Sequence, residues 1–204
     1  RSATRQLDNL IDITNTPVTE AMHSNEQNRA LGLGYMGLSD VLEKLEISYE
    51  SEAAYDLVDQ LTEFISYHAI DESANLAAER GSYPNFAGSG WSKGLLPIDT
   101  VDKLTTERDV KVKIDGKSRL DWEALRQKVK KGMRNATLMA IAPTANISHV
   151  AGRTPGLDPQ FSQIFSRSTL NGKFLEVNAN LVRKLKQLNL WESLKDDLLA
   201  NQGD

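Results

Sequence analysis

Apolar residues recur at helical spacing through most of this chain, and the points where the spacing stops divide it into elements. Leu7, Leu10 and Ile11 make a short first stripe that breaks near Asn15 to Pro17. Leu38, Val41, Leu42 and Leu45 mark a second helix. Ser51 then stands as a candidate N-cap with Glu52 in the first turn. After it, Ala54, Leu57, Val58, Leu61, Phe64, Ile65, His68 and Ala69 form one stripe that continues through Leu76 to a stop at Gly81. At about 1.5 Å per residue this helix spans on the order of 45 Å, enough to flank a barrel. A further helix opens at Asp121, with Leu120 and Leu125 set as a hydrophobic staple, and closes at Gly132.

The period shortens in the second half. Asp115-Gly116 and Asn171-Gly172 tolerate the positive φ of type I′ turns and announce two β-hairpins. Val110, Val112 and Ile114 alternate with charges, so the first hairpin has one wet face and reads as a surface addition. The second leads from Phe174 and Val177 into a helix with Asn178 as cap and Leu181, Val182, Leu185 and Leu188 on its apolar face. Trp191, Leu194, Leu198 and Leu199 give a last amphipathic helix. The short apolar runs 30–33 and 138–142 suit buried parallel strands with helices outside them. With no internal repeat and no low-complexity linker, the pattern predicts one structural unit over residues 1–204, helix-rich and α/β in class.

Composition narrows the function classes. The chain is 40% hydrophobic and 25% charged, which supplies a core, and its net charge of −4 argues against a broad nucleic-acid surface. The densest basic run, 126–131, falls at a helix end, where cations offset the dipole. No apolar run approaches the ~18 residues that span a bilayer, and no signal-peptide core occurs, so a cytoplasmic setting without membrane contact is expected. The chain has no cysteine.

Candidate chemistry concentrates in residues 139–148, where an apolar run breaks at Pro143 into small and hydroxyl residues before a short apolar segment. Pro143 has no N–H and fixes its own φ, Thr144 can cap, and Ala145 lets a ligand approach the backbone. Thr144, Ala145, Asn146 and Ile147 are thereby free to donate N–H groups to a phosphate, with Ser148 as a weaker hydroxyl donor. An ordinary strand-to-helix turn has the same local pattern. Gly32-x-Gly34-x-x-Gly37 satisfies the dinucleotide fingerprint by letter, yet the sequence before Glu50 is helical where that motif needs a strand. His23, His68 and His149 are too far apart for a local metal pair, so no bound metal is expected. His68 reads as a packing residue, and His149 lies just past the cradle. Asp71 and Glu72 point apart on a helix and make no catalytic dyad. Glu79, Arg80, Arg134 and Asn135 suit ion pairs and helix-end bonds, and Trp91 and Trp122 suit packing anchors.

Several strings carry a family resemblance: Asn28-Arg29-Ala30-Leu31-Gly32-Leu33-Gly34-Tyr35-Met36-Gly37, Leu76-Ala77-Ala78-Glu79-Arg80-Gly81-Ser82-Tyr83, Gly88-Ser89-Gly90-Trp91-Ser92-Lys93-Gly94 running into Leu96-Pro97-Ile98-Asp99, and Gly132-Met133-Arg134-Asn135-Ala136-Thr137. In this order and spacing, and with the loop that follows, the chain resembles the large catalytic subunit of ribonucleotide reductase, class I-like, over residues 8 to 204. Gly156-Leu157-Asp158-Pro159 looks like the family's Gly-Ile-Glu-Pro, and Leu170-Asn171-Gly172-Lys173-Phe174 its following hairpin. Asn146 departs from the family's Ala-Pro-Thr-Ala-Thr-Ile-Ser, standing where Thr is usual.

The resemblance implies part of the second half of a ten-stranded α/β barrel, with the strand 138–142 leading into a loop that holds substrate phosphates. It implies a ribonucleoside diphosphate or triphosphate substrate, reduced for DNA synthesis by a thiyl radical on one cysteine while two others supply reducing equivalents. This chain contains none of those thiols, so its implied place is as one piece, inactive alone, that needs the cysteine-bearing remainder. A split-gene product, a spliced portion and a trimmed piece all fit. The implied partners are a metal-containing, radical-generating small subunit and a thioredoxin-like reductant, or adenosylcobalamin if the enzyme is of class II. No cofactor is expected on this chain itself. The rival reading is a catalytically silent module that binds phosphorylated ligands or assembles with a protein.

Overall fold

A computed structural model of the chain describes residues 1–109, 114, 116–169 and 172–201. Regular structure among them comprises helices α1 (Ser2–Ile13), α2 (Thr19–Asn28), α3 (Leu38–Lys44), α4 (Glu52–Arg80), α5 (Asp99–Arg108), α6 (Trp122–Val129) and α7 (Ile147–Ala151). Strands β1 (Ile164–Thr169) and β2 (Gly172–Val177) follow, then helices α8 (Ala179–Gln187) and α9 (Trp191–Ala200). A 3-10 turn lies at Pro84–Phe86. Two compact units emerge: Arg1–Gly34 with Leu57–Ala140, and Tyr35–Asp56 with Ile141–Asp204.

Helix boundaries follow their local chemistry. Ser51 Oγ accepts from the Ala54 N–H at 3.2 Å at the start of α4, and Gly81, at φ +87°, closes it with its N–H on the Ala77 carbonyl. Asp121 caps α6 through Ala124 N–H at 2.9 Å. That helix ends at Val129, a turn earlier than expected. Gly132 follows, where an added Cβ would meet Ser82 Oγ at 2.6 Å. Helices α2 and α5 lack a strong apolar stripe and were not legible in the pattern. Both have no fully buried residue.

The first unit holds an apolar core of Leu31, Ala69, Ile70, Ala74, Tyr83, Leu96, Leu125, Val129, Met133 and Leu138. Leu7 and Ile11 of α1 and the rings of Trp91 and Trp122 lie against it. Beside it is a polar centre: Asp8 is fully buried and receives Arg29 at 2.8 Å, Arg80 at 3.1 Å and Arg134 at 3.4 Å. Asn135 Nδ2 donates to Asp8 and to the Arg29 carbonyl, both at 3.0 Å, and its Oδ1 accepts from Ser73 Oγ. Buried charge is tolerated here because each carboxylate oxygen has partners.

The runs 30–33 and 138–142 do run parallel, but they meet in a single bridge, Leu33 with Met139, and not as two fully buried strands. Leu31 and Leu138 are buried while Gly32 and Ala140 are exposed. Each run has one hydrogen-bonded neighbour among the described residues, so only the side chains facing the core are covered.

In the second unit, Leu38 and Leu42 of α3, Ala54 and Ile164 are buried. The strands β1 and β2 pair antiparallel from Ile164↔Val177 to Thr169↔Gly172. This is the second expected hairpin, although its turn, residues 170–171, lies outside the described residues. The first expected hairpin, with Val110, Val112 and Asp115, also lies outside them. Asn178 caps α8, its Oδ1 accepting from Asn180 N–H at 2.9 Å and Leu181 N–H at 3.3 Å. Glu43 on α3 accepts from Asn178 and Asn180, each at 2.9 Å.

Candidate functional site

The cradle segment leaves the parallel bridge, passes Pro143 and turns into the five-residue α7. Thr144 takes the left-handed conformation at φ +49°, which is unusual for a β-branched residue and is held by hydrogen bonds on both sides. Its Oγ1 accepts from Gly156 N–H at 2.8 Å, and its carbonyl accepts from Ser148 N–H at 2.9 Å. The first of these makes the Thr144 side chain a clasp across the loop. It does not cap the helix: Asn146 is the N-cap residue, and its side chain makes no capping bond.

The second strand of the clasp is 152–156. Arg153 N–H donates to the Ser148 carbonyl at 2.9 Å, and Thr154 gives its N–H and hydroxyl to Asp40 Oδ2 at 2.8 and 3.2 Å. Gly37 N–H donates to the Thr154 carbonyl. Gly156 sits at φ +48°, and a Cβ there would lie 3.2 Å from the Ala142 carbonyl oxygen, so only glycine fits comfortably.

What this scaffold leaves open is the donor set. Among the described residues, the N–H groups of Thr144, Ala145, Asn146 and Ile147 have no intramolecular acceptor. Pro143, Ala145, Asn146 and Ile147 are exposed and Thr144 is half-buried. Ser148 differs from its neighbours: it is fully buried, its N–H is consumed by Thr144, and its hydroxyl turns inward to the Ala145 carbonyl at 3.3 Å. Its place is inside the loop's support.

Ala145 also lines a cavity of about 1050 Å³ in the second unit, whose walls include Lys44, His149, Arg153 and Arg183. Among the described residues, Lys44, Arg153 and Arg183 have no carboxylate partner. Among the described residues the Arg153 guanidinium donates to the Gly152 carbonyl and the Arg183 guanidinium to Asn180 Oδ1. Nothing in the sequence pattern signalled this grouping, since the three cations come from α3, the segment after α7, and α8.

Elsewhere the candidate residues scatter into structural roles. Gly32 lets Ala140 approach, its added Cβ standing 3.2 Å from that side chain, and Gly37 at φ +81° opens α3. These glycines make a tight passage from the bridge to a helix, and no strand follows α3 up to Glu50. His68 lies edge-on to Phe64 and Tyr67 at 4.4 and 5.3 Å between ring centroids. No cluster of three His, Cys, Asp or Glu side chains suits a metal ion among the described residues. Asp71 pairs with Arg1 and Lys128 while Glu72 pairs with Arg5, which confirms that the two carboxylates diverge. Trp91 Nε1 bonds the Ala136 carbonyl, and Trp122 Nε1 bonds Glu63, each at 2.9 Å.

An exposed loop whose amides have no acceptor among the described residues thus follows a parallel bridge in a helix-rich α/β frame. A family model described as ribonucleotide reductase, barrel domain, matches residues 1–203. The chain belongs to that family. It is 47% identical over 204 residues to the ribonucleoside-diphosphate reductase subunit alpha of Chlamydia trachomatis, covering 98% of this chain and 20% of the relative. It is 43% identical over 193 residues to the subunit alpha of Helicobacter pylori, covering 94% and 24%, and 36% identical over 201 residues to the large subunit of Danio rerio, covering 98% and 24%. The chain thus spans about a fifth to a quarter of the length of these relatives.

Proposed function

We propose that this chain is the part of a ribonucleoside-diphosphate reductase catalytic subunit that grips the substrate's phosphates, and that residues 1–204 act together as one portion of the barrel. The observation that carries this reading is the set of four unengaged N–H groups at Thr144, Ala145, Asn146 and Ile147 on an exposed loop. A phosphate is satisfied by several converging amides without any side-chain charge, and Pro143 at the entry has no N–H of its own and fixes its φ. Asn146 adds a side-chain amide where the family commonly has a hydroxyl.

The loop's contribution is placement. A radical that must abstract one ribose hydrogen gains greatly when the phosphate end is fixed. The chemistry itself, 3′-hydrogen abstraction by a thiyl and loss of the 2′-hydroxyl with oxidation of two thiols, belongs to cysteines that this sequence does not contain. They come from the remainder of the catalytic subunit, and the chain is inactive without it. The radical comes from a metal-containing small subunit, or from adenosylcobalamin in a class II enzyme. The Pro-Thr-Ala form of the loop and the hairpin after it resemble class I. A thioredoxin-like protein regenerates the thiols, and the setting is cytoplasmic.

The test is reconstitution. The chain is combined with the cysteine-bearing remainder and the radical source, and deoxynucleotide formation is measured with and without the chain. Formation that depends on this chain supports the reading. A fully folded, complete mixture that reduces no ribonucleotide favours a catalytically silent binding or assembly module instead.

A further inference from the structure

The second unit leaves most of its large apolar side chains uncovered. Among its described residues only Leu38, Leu42, Ala54 and Ile164 are buried apolar side chains, whereas Phe161 is 94% exposed, Leu175 61% and Phe174 51%. The β1–β2 hairpin carries much of this excess. Ile164 pairs with Val177 and Phe165 with Glu176, so Ile164, Leu175 and Val177 share one face while Phe165, Phe174 and Glu176 share the other. A hairpin that lies on a protein surface alternates apolar and polar positions, one face in and one face out. β2 departs from that rule: Phe174 and Leu175 are consecutive, point to opposite faces and are each more than half exposed. Apolar side chains on both faces are the pattern of a strand covered from two sides, and a two-stranded ribbon is marginal in water without such cover.

Phe161 continues the aromatic face past the end of β1. Its ring stands edge-on to the half-buried Phe165 with centroids 6.3 Å apart. Both rings line the cavity of about 1050 Å³, together with Pro155, Pro159 and Val177. The same wall holds charge of both signs, Asp158 and Glu176 beside Lys44, Arg153 and Arg183. Mixed charge around aromatic and proline side chains discriminates against a simple anion or cation. It suits a polypeptide, which brings an apolar side chain to the middle of a contact and polar groups of either sign to its edge.

We propose that the aromatic face of Phe161, Phe165 and Phe174, with the cavity it borders, is a docking surface for an apolar segment of the cysteine-bearing remainder of the catalytic subunit, and that Phe161 is the anchor buried by that contact. The occupant follows from length. This chain spans about a fifth to a quarter of its relatives, so most of such a subunit is polypeptide that this chain does not supply. The inference rests on the reading above only in taking the chain as one portion of that subunit, and it gives the phosphate loop no part. A large ring left almost wholly in water within one portion of a protein gains the most when another portion covers it.

The experiment places the photoreactive p-benzoylphenylalanine at position 161 of the assembled catalytic subunit, with the radical-generating small subunit present, and identifies the cross-linked peptides by mass spectrometry after illumination. The expected product joins residue 161 to a peptide of the cysteine-bearing remainder. A join to a second copy of this chain or to the small subunit, or no join at all, overturns the proposal. Phe161→Ser is measured alongside. It should weaken the hold of the chain on the remainder by about tenfold or more, and leave the melting temperature of the chain by itself within about 2 °C of wild type, because so exposed a ring supports little within the chain. An unchanged hold overturns the proposal. So does a Phe161→Ser chain that by itself melts far earlier, since the ring would then be packed within the chain. Deoxynucleotide formation by the wild-type mixture separates the two readings: if the join forms and no ribonucleotide is reduced, the docking surface stands and the catalytic reading falls. If deoxynucleotide is made and no join forms, only the surface falls.

Discussion

The two units of this chain handle their polar groups in opposite ways. In the first, Asp8 is sealed from water and every oxygen is matched: Arg29 and Asn135 on Oδ1, Arg80 and Arg134 on Oδ2. In the second, a loop exposes four N–H groups with no acceptor among the described residues, and Val150 and Phe161 beside it are 89% and 94% exposed. A closed network stabilises a fold, whereas open donors are stabilised by whatever binds them. The difference separates a unit whose polar groups are closed on one another from one that leaves donors open to solvent.

The comparison breaks most visibly at Asp8. Asp8→Ala leaves Arg29, Arg80 and Arg134 clustered without their shared counter-charge, and a loss of about 3–5 kcal/mol of stability is expected in denaturant unfolding. The magnitude follows from a buried carboxylate lost from among three cations, and it is held to that range because Arg29 keeps Asp12 and Arg80 keeps Asn9 and is a third exposed. A loss below about 1 kcal/mol would mean that water reaches the centre and that the first unit is not closed.

Thr144→Glu probes the other side. An acidic side chain at the cradle repels a phosphate and blocks its approach, so nucleotide affinity in the assembled enzyme should fall by about tenfold or more, and because the buried Gly156 N–H loses its Thr144 acceptor the melting temperature should fall by a few degrees without the chain unfolding. Unchanged affinity contradicts the open-donor account. Gly156→Ala acts on the clasp: it places a Cβ at φ +48°, 3.2 Å from the Ala142 carbonyl oxygen. A cost of about 1–2 kcal/mol is expected, with a parallel, smaller weakening of nucleotide binding because Thr144 loses its fixed partner. Tighter binding in Gly156→Ala would show that the clasp holds the loop away from its binding geometry.

Much of the frame was legible in the chain. The stripe from Ala54 to Leu76 between Ser51 and Gly81 gave α4 because an N-cap, a 3.6-residue period and a positive-φ glycine agree there. Asn178 and Asp121 announced their helices by the same logic. Helices α2 and α5 escaped because neither buries a stripe, and periodicity reports burial more than helicity. The strands 30–33 and 138–142 looked like buried parallel strands from apolar content, but content cannot say how many neighbours a strand has. The loop at 143–148 was visible through Pro143, whereas the inward turn of Ser148 and the Thr144 to Gly156 clasp depend on a contact twelve residues away. The three cations of the cavity lie at positions 44, 153 and 183, and no spacing rule joins them.

The smallest expected effect sharpens the comparison from within the first unit. Asp99 accepts from Arg126 through both carboxylate oxygens, at 2.5 and 3.1 Å, and from Leu96 N–H at 2.7 Å. The Arg126 hydrogen bonds lower its pKa below the ordinary aspartate value, partial burial opposes them, and the Leu96 N–H adds to the lowering. A carboxylate whose folded value is depressed contributes stability that is fully present above its unfolded value, about 3.9, and is lost as pH falls through the folded one. Both side chains are about a quarter exposed, so solvent screens the pair and a contribution of about 1 kcal/mol or less is expected. Asp99→Asn should therefore lower the melting temperature by a few degrees at neutral pH, and the gap from wild type should close below about pH 4. A gap that persists unchanged into strong acid would assign the effect to the Leu96 contact and not to charge.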